Sequence, residues 1–124
     1  MVRIILVRHG ETKWNIEGRY QGQEDTELSE RGLEQGRLLA QDVPIDVFVS
    51  SPLKRSFMTA SFCAELHGNT VAKDERLTEI NHGLWEGRLA GDIEAEYPDE
   101  FAAWHTQPHT VQMPGEGGES LEDV

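Results

Sequence analysis

His9 stands between Arg8 and Gly10 just after an apolar run, and Arg55 follows a second apolar run by a few residues. Two guanidiniums beside one imidazole suit a dianionic phosphate. Arg55 would lie in the first turn of a helix, where backbone N–H groups and the positive dipole end add to the same site. Inside that positive field the pKa of His9 is pressed down, and neutral imidazole offers a lone pair to phosphorus. The arginines would hold the equatorial oxygens while charge shifts during transfer. A leaving alkoxide needs a proton. Glu79, within Leu77-Thr78-Glu79-Ile80-Asn81-His82-Gly83-Leu84-Trp85-Glu86-Gly87, is the candidate donor, with Leu77, Ile80, Leu84 and Trp85 as apolar neighbours that favour its acid form.

The elements around these residues must bring them together. Residues 2–7 (VRIILV) are short, apolar and β-branched, and read as a buried strand. Residues 8–28 are polar and glycine-punctuated, and read as a long functional loop. Ser29 is the expected N-cap of a helix over 30–41, with Leu33, Leu39 and Ala40 inward, Gly32 and Gly36 either weakening it or letting it pack closely, and Pro44 ending it. Residues 45–49 predict a second strand. Ser51-Pro52 then predicts an N-cap and first turn of a helix to His67, stopped by Gly68-Asn69. A short strand over 70–73 follows, then a loop over 78–91 and helical pieces near 92–97 and 99–105 split by Pro98. Strand–helix–strand–helix order implies a parallel βαβ unit in an α/β fold. In such sheets functional groups gather at the carboxyl ends of the strands, which places Arg8-His9-Gly10 near Ser50–Arg55.

With these residues in view, the chain resembles the histidine phosphatase, or phosphoglycerate mutase-like, superfamily. The resemblance rests on RHGETKWN (8–15), GRYQGQEDTELSERG (18–32), SSPLKRSFMTA (50–60), LTEINHGLWEG (77–87), YPDEFAAW (97–104) and GGES (117–120), in that order. It implies a three-layer α/β sandwich with a mainly parallel sheet, and one domain over residues 1–124. It implies that His9 carries a phosphohistidine intermediate, that Arg8 and Arg55 grip the phosphoryl group, and that Glu79 is the general acid and later the base. Asn15, Gln21 and Gly22 match positions that line the substrate pocket of relatives. His82, where relatives often carry an aromatic residue, is grouped with them as a pocket wall. The carbonyl of Gly10 would take the other ring nitrogen of His9 and so fix the tautomer. No cofactor and no metal is implied.

The family pocket also uses a second histidine in an apolar run–His–Gly segment. No such segment occurs here, so the chain is expected to be a C-terminally truncated member with parts of its sheet and helix faces uncovered. The expected function is hydrolysis of a small phosphorylated metabolite, most similar to the α-ribazole phosphatase-like and broad-specificity branch. The short interval between Glu79 and the Gly118-Glu119-Ser120 triplet leaves little room for a water-excluding lid, which favours hydrolysis over the alternative, phosphoglycerate mutase activity. A second alternative is an inactive remnant lacking the second histidine.

Other polar and aromatic residues are assigned plainer roles. His105 and His109 have zinc-like spacing, but Pro108 breaks the helix between them. Trp14, Trp85 and Trp104 and the single cysteine, Cys63, are expected in the core. Glu11 and Glu86 are expected to make structural hydrogen bonds, and the acidic stretch 92–100 to be a solvated face. The 124 residues amount to one domain, and no apolar run approaches the ~20 residues of a membrane span. The net charge of −12 argues against nucleic-acid or anionic-lipid partners, although nine acids and no base in residues 89–124 carry most of it. One cysteine and the absence of a signal-like stretch point to the cytoplasm.

Overall fold

The computed structural model describes residues 1–42 and 45–124. Its regular elements are helices α1 (Lys13–Glu17), α2 (Glu30–Asp42), α3 (Lys54–Leu66), α4 (Ala90–Glu96) and α5 (Pro98–Thr106), and strands β1 (Phe48–Ser50) and β2 (Val71–Lys73). The fold is α/β. β1 and β2 pair in parallel, with Phe48 opposite Val71 and Ser50 opposite Lys73, and α3 is the crossover between them.

Helix α2 starts where Ser29 predicts, because the Ser29 Oγ accepts the Gly32 N–H (3.1 Å) and the Ser29 carbonyl accepts from Leu33. Its glycines serve close packing. A Cβ at position 36 would lie 2.5 Å from the Phe62 ring of α3. Between α2, α3 and β1 lies one core of Ala40, Phe48, Cys63 and Ala64. His67 ends α3 and stacks on Phe48, while Gly68 in the left-handed region and the Asn69 N–H to Ala64 carbonyl bond (2.8 Å) close the helix. A second core of Ile80, Trp85, Ile93, Val111 and Met113 is walled by Tyr20, Tyr97, Phe101 and Trp104. Trp14 sits against Gly87 instead. Pro98 separates α4 from α5 and is the first residue of α5, where its missing N–H costs nothing. The acidic side chains of 92–100 are exposed on these helices.

Four expectations need correction. Residues 2–7 join no ladder among the described residues, and Val2, Ile4 and Leu6 are exposed. The parallel partner of β1 is β2, and an apolar cavity of about 460 Å³, lined by Ile5, Val7, Phe48, Val49 and Cys63, separates the N-terminal segment from β1. Second, the strand foreseen at 45–49 forms at Phe48–Ser50. Third, residues 8–28 are not all loop. Thr12 and Asn15 form a reciprocal capping box on α1, a local polar signal that apolar periodicity does not register. Fourth, α3 begins at Lys54 rather than Pro52. The Ser51 Oγ takes the Leu53 N–H (3.1 Å), and Asp25, 29 residues earlier in the chain, takes the Lys54 N–H (2.7 Å). The helix stop expected at Pro44 falls outside the described residues.

Candidate active site

The His9 loop is fastened on two sides. Toward α2, Ser29 N–H donates to the Glu11 carbonyl (2.8 Å) and Ser29 Oγ to the Glu11 carboxylate (2.9 Å), the structural role expected of Glu11. Here Gly10 and Gly32 meet backbone to backbone: a Cβ at position 10 would lie 2.6 Å from the Gly32 carbonyl oxygen. Toward α3, Gly10 N–H donates to Thr59 Oγ1 (3.0 Å), and the Thr59 hydroxyl donates to the Arg55 carbonyl (2.7 Å). The His9 Nδ1 lies 2.7 Å from the Gly10 carbonyl. A carbonyl only accepts, so Nδ1 carries the proton and Nε2 of the neutral ring keeps its lone pair.

Burial holds the His9 pKa below its ordinary 6.5. The bond to the Gly10 carbonyl opposes this, the charges of Arg55 and Arg8 reinforce it, and Glu79 opposes it. Desolvation therefore leads, ahead of the positive field foreseen from the sequence. The neutral ring persists to lower pH than in a free histidine. An NMR titration of the His9 imidazole is expected to give a midpoint below 6.5, and a midpoint above it would contradict this assignment.

Arg55 is 1% exposed. One of its Nη groups donates to the Glu24 carbonyl (2.7 Å) and the other to that of Gly22 (2.6 Å), with a longer contact from the first to Thr26 Oγ1 (3.4 Å). Its Nε has no partner among the described residues. Of five N–H donors, Nε–H and one Nη2–H thus remain for a ligand. Burial lowers its pKa and the carboxylates of Glu79, Asp25 and Glu86 raise it, while a guanidinium stays charged throughout. The helix N-terminus contributes less than foreseen. The N–H groups of Leu53, Lys54 and Ser56 are already taken by Ser51, Asp25 and the Leu53 carbonyl. Anion binding falls mainly to side chains.

The loop bearing Glu79 lies over residues 18–23. Gly87 N–H donates to the Tyr20 carbonyl (2.7 Å), and Glu86 Oε1 accepts from Gln23 N–H (2.8 Å) and His82 N–H (3.1 Å), the structural role expected of Glu86. Glu119, in the GGES segment, takes the Asn81 N–H (2.7 Å). Glu79 is exposed, and one carboxylate oxygen accepts from Ile80 N–H (3.0 Å). The apolar surroundings expected for it do not form, because Leu77 and Leu84 face solvent while Ile80 and Trp85 turn into the core. His82 is buried edge-on between Tyr20 (5.0 Å) and Trp104 (5.6 Å), its Nδ1 without a partner among the described residues. Burial lowers its pKa against the opposing charge of Glu79. The amide oxygens of Asn15 and Gln21 are spent on Thr12 and Thr26, which leaves their NH2 groups as the donors they can offer.

A cavity of about 560 Å³ is lined by Arg8, His9, Asn15, Gln21, Gly22, Arg55, Glu79 and His82, all of them singled out from the sequence. Val7, Tyr20 and Ser56 complete the lining and were missed. Tyr20 and Ser56 each adjoin a named residue, Gln21 and Arg55, which was the available signal. Arg8 is exposed and Arg55 buried, and both line this cavity. The arrangement offers two guanidiniums for an anion, one imidazole nitrogen with a lone pair and one carboxyl group. Groups of these types can serve as nucleophile, electrostatic clamp and proton carrier, and here they face one space.

The profile of the histidine phosphatase superfamily (branch 1) matches residues 4–124. Phosphoserine phosphatase 1 of Hydrogenobacter thermophilus is 48% identical over the whole chain, which covers 59% of that protein. Among solved structures, a mycobacterial glucosyl-3-phosphoglycerate phosphatase in complex with VO3 superimposes with a TM-score of 0.83 at 38% identity, over 93% of this chain and 57% of that one. The α-ribazole phosphatase of Shigella flexneri does so with a TM-score of 0.78 at 31% identity, over 94% and 58%. The chain thus spans a little under three fifths of these relatives' lengths.

Proposed function

Because the chain belongs to branch 1 of the histidine phosphatase superfamily, we propose that it carries the N-terminal portion of a phosphomonoesterase acting on a small phosphorylated metabolite in the cytoplasm. The observation that carries this reading is the single cavity shared by Arg8, His9, Arg55 and Glu79. The neighbouring Tyr20 and His82 supply an edge-on aromatic wall for the part of the substrate beyond the phosphate. The net negative charge favours a small anion held by a few converging arginines over a nucleic-acid polymer.

The reaction proceeds in two displacements. The His9 Nε2 lone pair forms a bond to phosphorus as the bond from phosphorus to the ester oxygen breaks. The Nδ1–H bond to the Gly10 carbonyl supports the positive charge on the ring. Arg8 and Arg55 hold the phosphoryl oxygens. Glu79, as the acid, gives its proton to the departing alkoxide. Water then attacks phosphorus, its proton passes to the Glu79 carboxylate, and the phosphorus–nitrogen bond breaks. Phosphate leaves, and the neutral imidazole and the acid form of Glu79 are restored.

The test is incubation with radiolabelled phosphoserine, the substrate named for the 48% identical relative. Acid-labile, base-stable label on His9 and release of inorganic phosphate are expected. A folded sample that takes no label would favour the inactive-remnant reading. Transfer to a hydroxy-acid acceptor outrunning hydrolysis would favour a mutase. Glu79→Gln is expected to slow hydrolysis of alkyl phosphates about 10²–10⁴-fold. In single turnover, transfer from p-nitrophenyl phosphate to His9 should slow much less than transfer from an alkyl phosphate, because nitrophenolate leaves without a proton. Equal slowing of both would remove Glu79 from the acid role.

A further inference from the structure

We propose that Thr59 is a positioning residue for the nucleophile: its hydroxyl joins the Gly10 N–H to the Arg55 carbonyl, and so fixes the His9–Gly10 peptide from which the imidazole projects toward the Gly10 carbonyl that holds its Nδ1–H. The inference rests on the phosphohistidine reading above for its kinetic consequence, though its structural part stands alone.

The geometry is a chain of three bonds. The Arg55 carbonyl accepts from the Thr59 hydroxyl at 2.7 Å, the Thr59 oxygen accepts from Gly10 N–H at 3.0 Å, and the Gly10 carbonyl accepts from His9 at 2.7 Å. A threonine one turn after Arg55 in α3 therefore links the turn bearing the anion-binding guanidinium to the loop bearing the imidazole. The hydroxyl is 4% exposed as part of its residue, so water cannot readily take its place. Its proton is committed to the Arg55 carbonyl, which leaves the oxygen as a pure acceptor for Gly10. Gly10 is also pressed against the Gly32 carbonyl on its other side. The two peptides flanking the Gly10 Cα are thus held separately: Thr59 takes the Gly10 N–H, and Gln35 Oε1 takes the Glu11 N–H (2.9 Å) of the peptide that carries the Gly10 carbonyl. Without Thr59 the His9–Gly10 peptide is free to turn against the held Gly10 carbonyl, and the His9 ring loses alignment with the bond that selects its tautomer.

The test compares the wild-type protein with T59V, T59S and T59A. Long-range proton–nitrogen NMR of the imidazole reads the tautomer, and rapid quench with radiolabelled phosphoserine reads formation of phosphohistidine. Wild type and T59S are expected to hold the Nδ1–H form. T59V is expected to populate the Nε2–H form and to be labelled about 10- to 100-fold more slowly, with little change in KM, as befits misplacement of a reacting atom. Should T59V fail to fold, T59A carries the same expectation. A T59V or T59A protein with the wild-type tautomer and labelling rate overturns the proposal, as does a T59S protein as impaired as T59V. If no protein takes label while the tautomer still follows residue 59, the phosphatase reading fails and the positioning role survives.

Discussion

His9→Ala is expected to abolish phosphoryl transfer, with no covalent label and a fall in turnover of at least about 10⁴-fold, because no other group facing the cavity can take over as nucleophile. His82 lines the same space, but it is buried edge-on between Tyr20 and Trp104. The substitution should leave the fold intact. His9 is only half-buried, and its side chain bonds to the carbonyl of its own neighbour rather than across elements. Turnover measured with phosphoserine, alongside thermal unfolding, checks both parts. Residual activity within tenfold of wild type would mean that the phosphoryl group never passes through residue 9.

Arg55→Ala is expected to damage binding and architecture together. Loss of the buried guanidinium removes a clamp on the transferring group, worth about 10²–10³-fold in rate by analogy with single donors to developing charge. It also strips the Gly22 carbonyl of its Arg55 donor, leaves the Glu24 carbonyl with only the Thr26 N–H, and loosens residues 22–26. One buried acceptor without a partner, that of Gly22, should cost about 1–3 kcal/mol of stability. Arg55→Lys separates the two effects. Lysine keeps the charge but cannot bridge two carbonyls from a planar fork, so part of the phosphate affinity should survive while the urea midpoint still drops. An inorganic-phosphate inhibition constant unchanged in Arg55→Ala would take this residue out of the anion site.

The fold was legible where local chemistry is decisive. Ser29 before α2, Gly68-Asn69 after α3 and Pro98 between α4 and α5 act through their own backbone and caps, so their neighbours in sequence suffice to read them. The strand at 2–7 was misread for the opposite reason. An apolar, β-branched run states a capacity to pair, and pairing needs a partner ladder that no local pattern supplies. Among the described residues that partner is absent, and β1 pairs with β2 instead. The cap of α3 failed to register in the same way, since Asp25 reaches it from another part of the chain.

The sequence alone determined which chemical groups the cavity could hold: an imidazole between an arginine and a glycine, a second arginine early in a helix, and a glutamate in a glycine-punctuated loop. Those are properties of side-chain type and short spacing. Only the tertiary structure decided how they are deployed. It ranks burial ahead of the arginines in depressing the His9 pKa, and it spends two of the five Arg55 donors on carbonyls of the 22–26 loop. It leaves Glu79 in solvent and ties the Gly10 N–H to the Arg55 carbonyl through the Thr59 hydroxyl. Desolvation and hydrogen-bond partnership depend on atoms distant in the chain, and composition and periodicity contain no record of which distant atoms will meet.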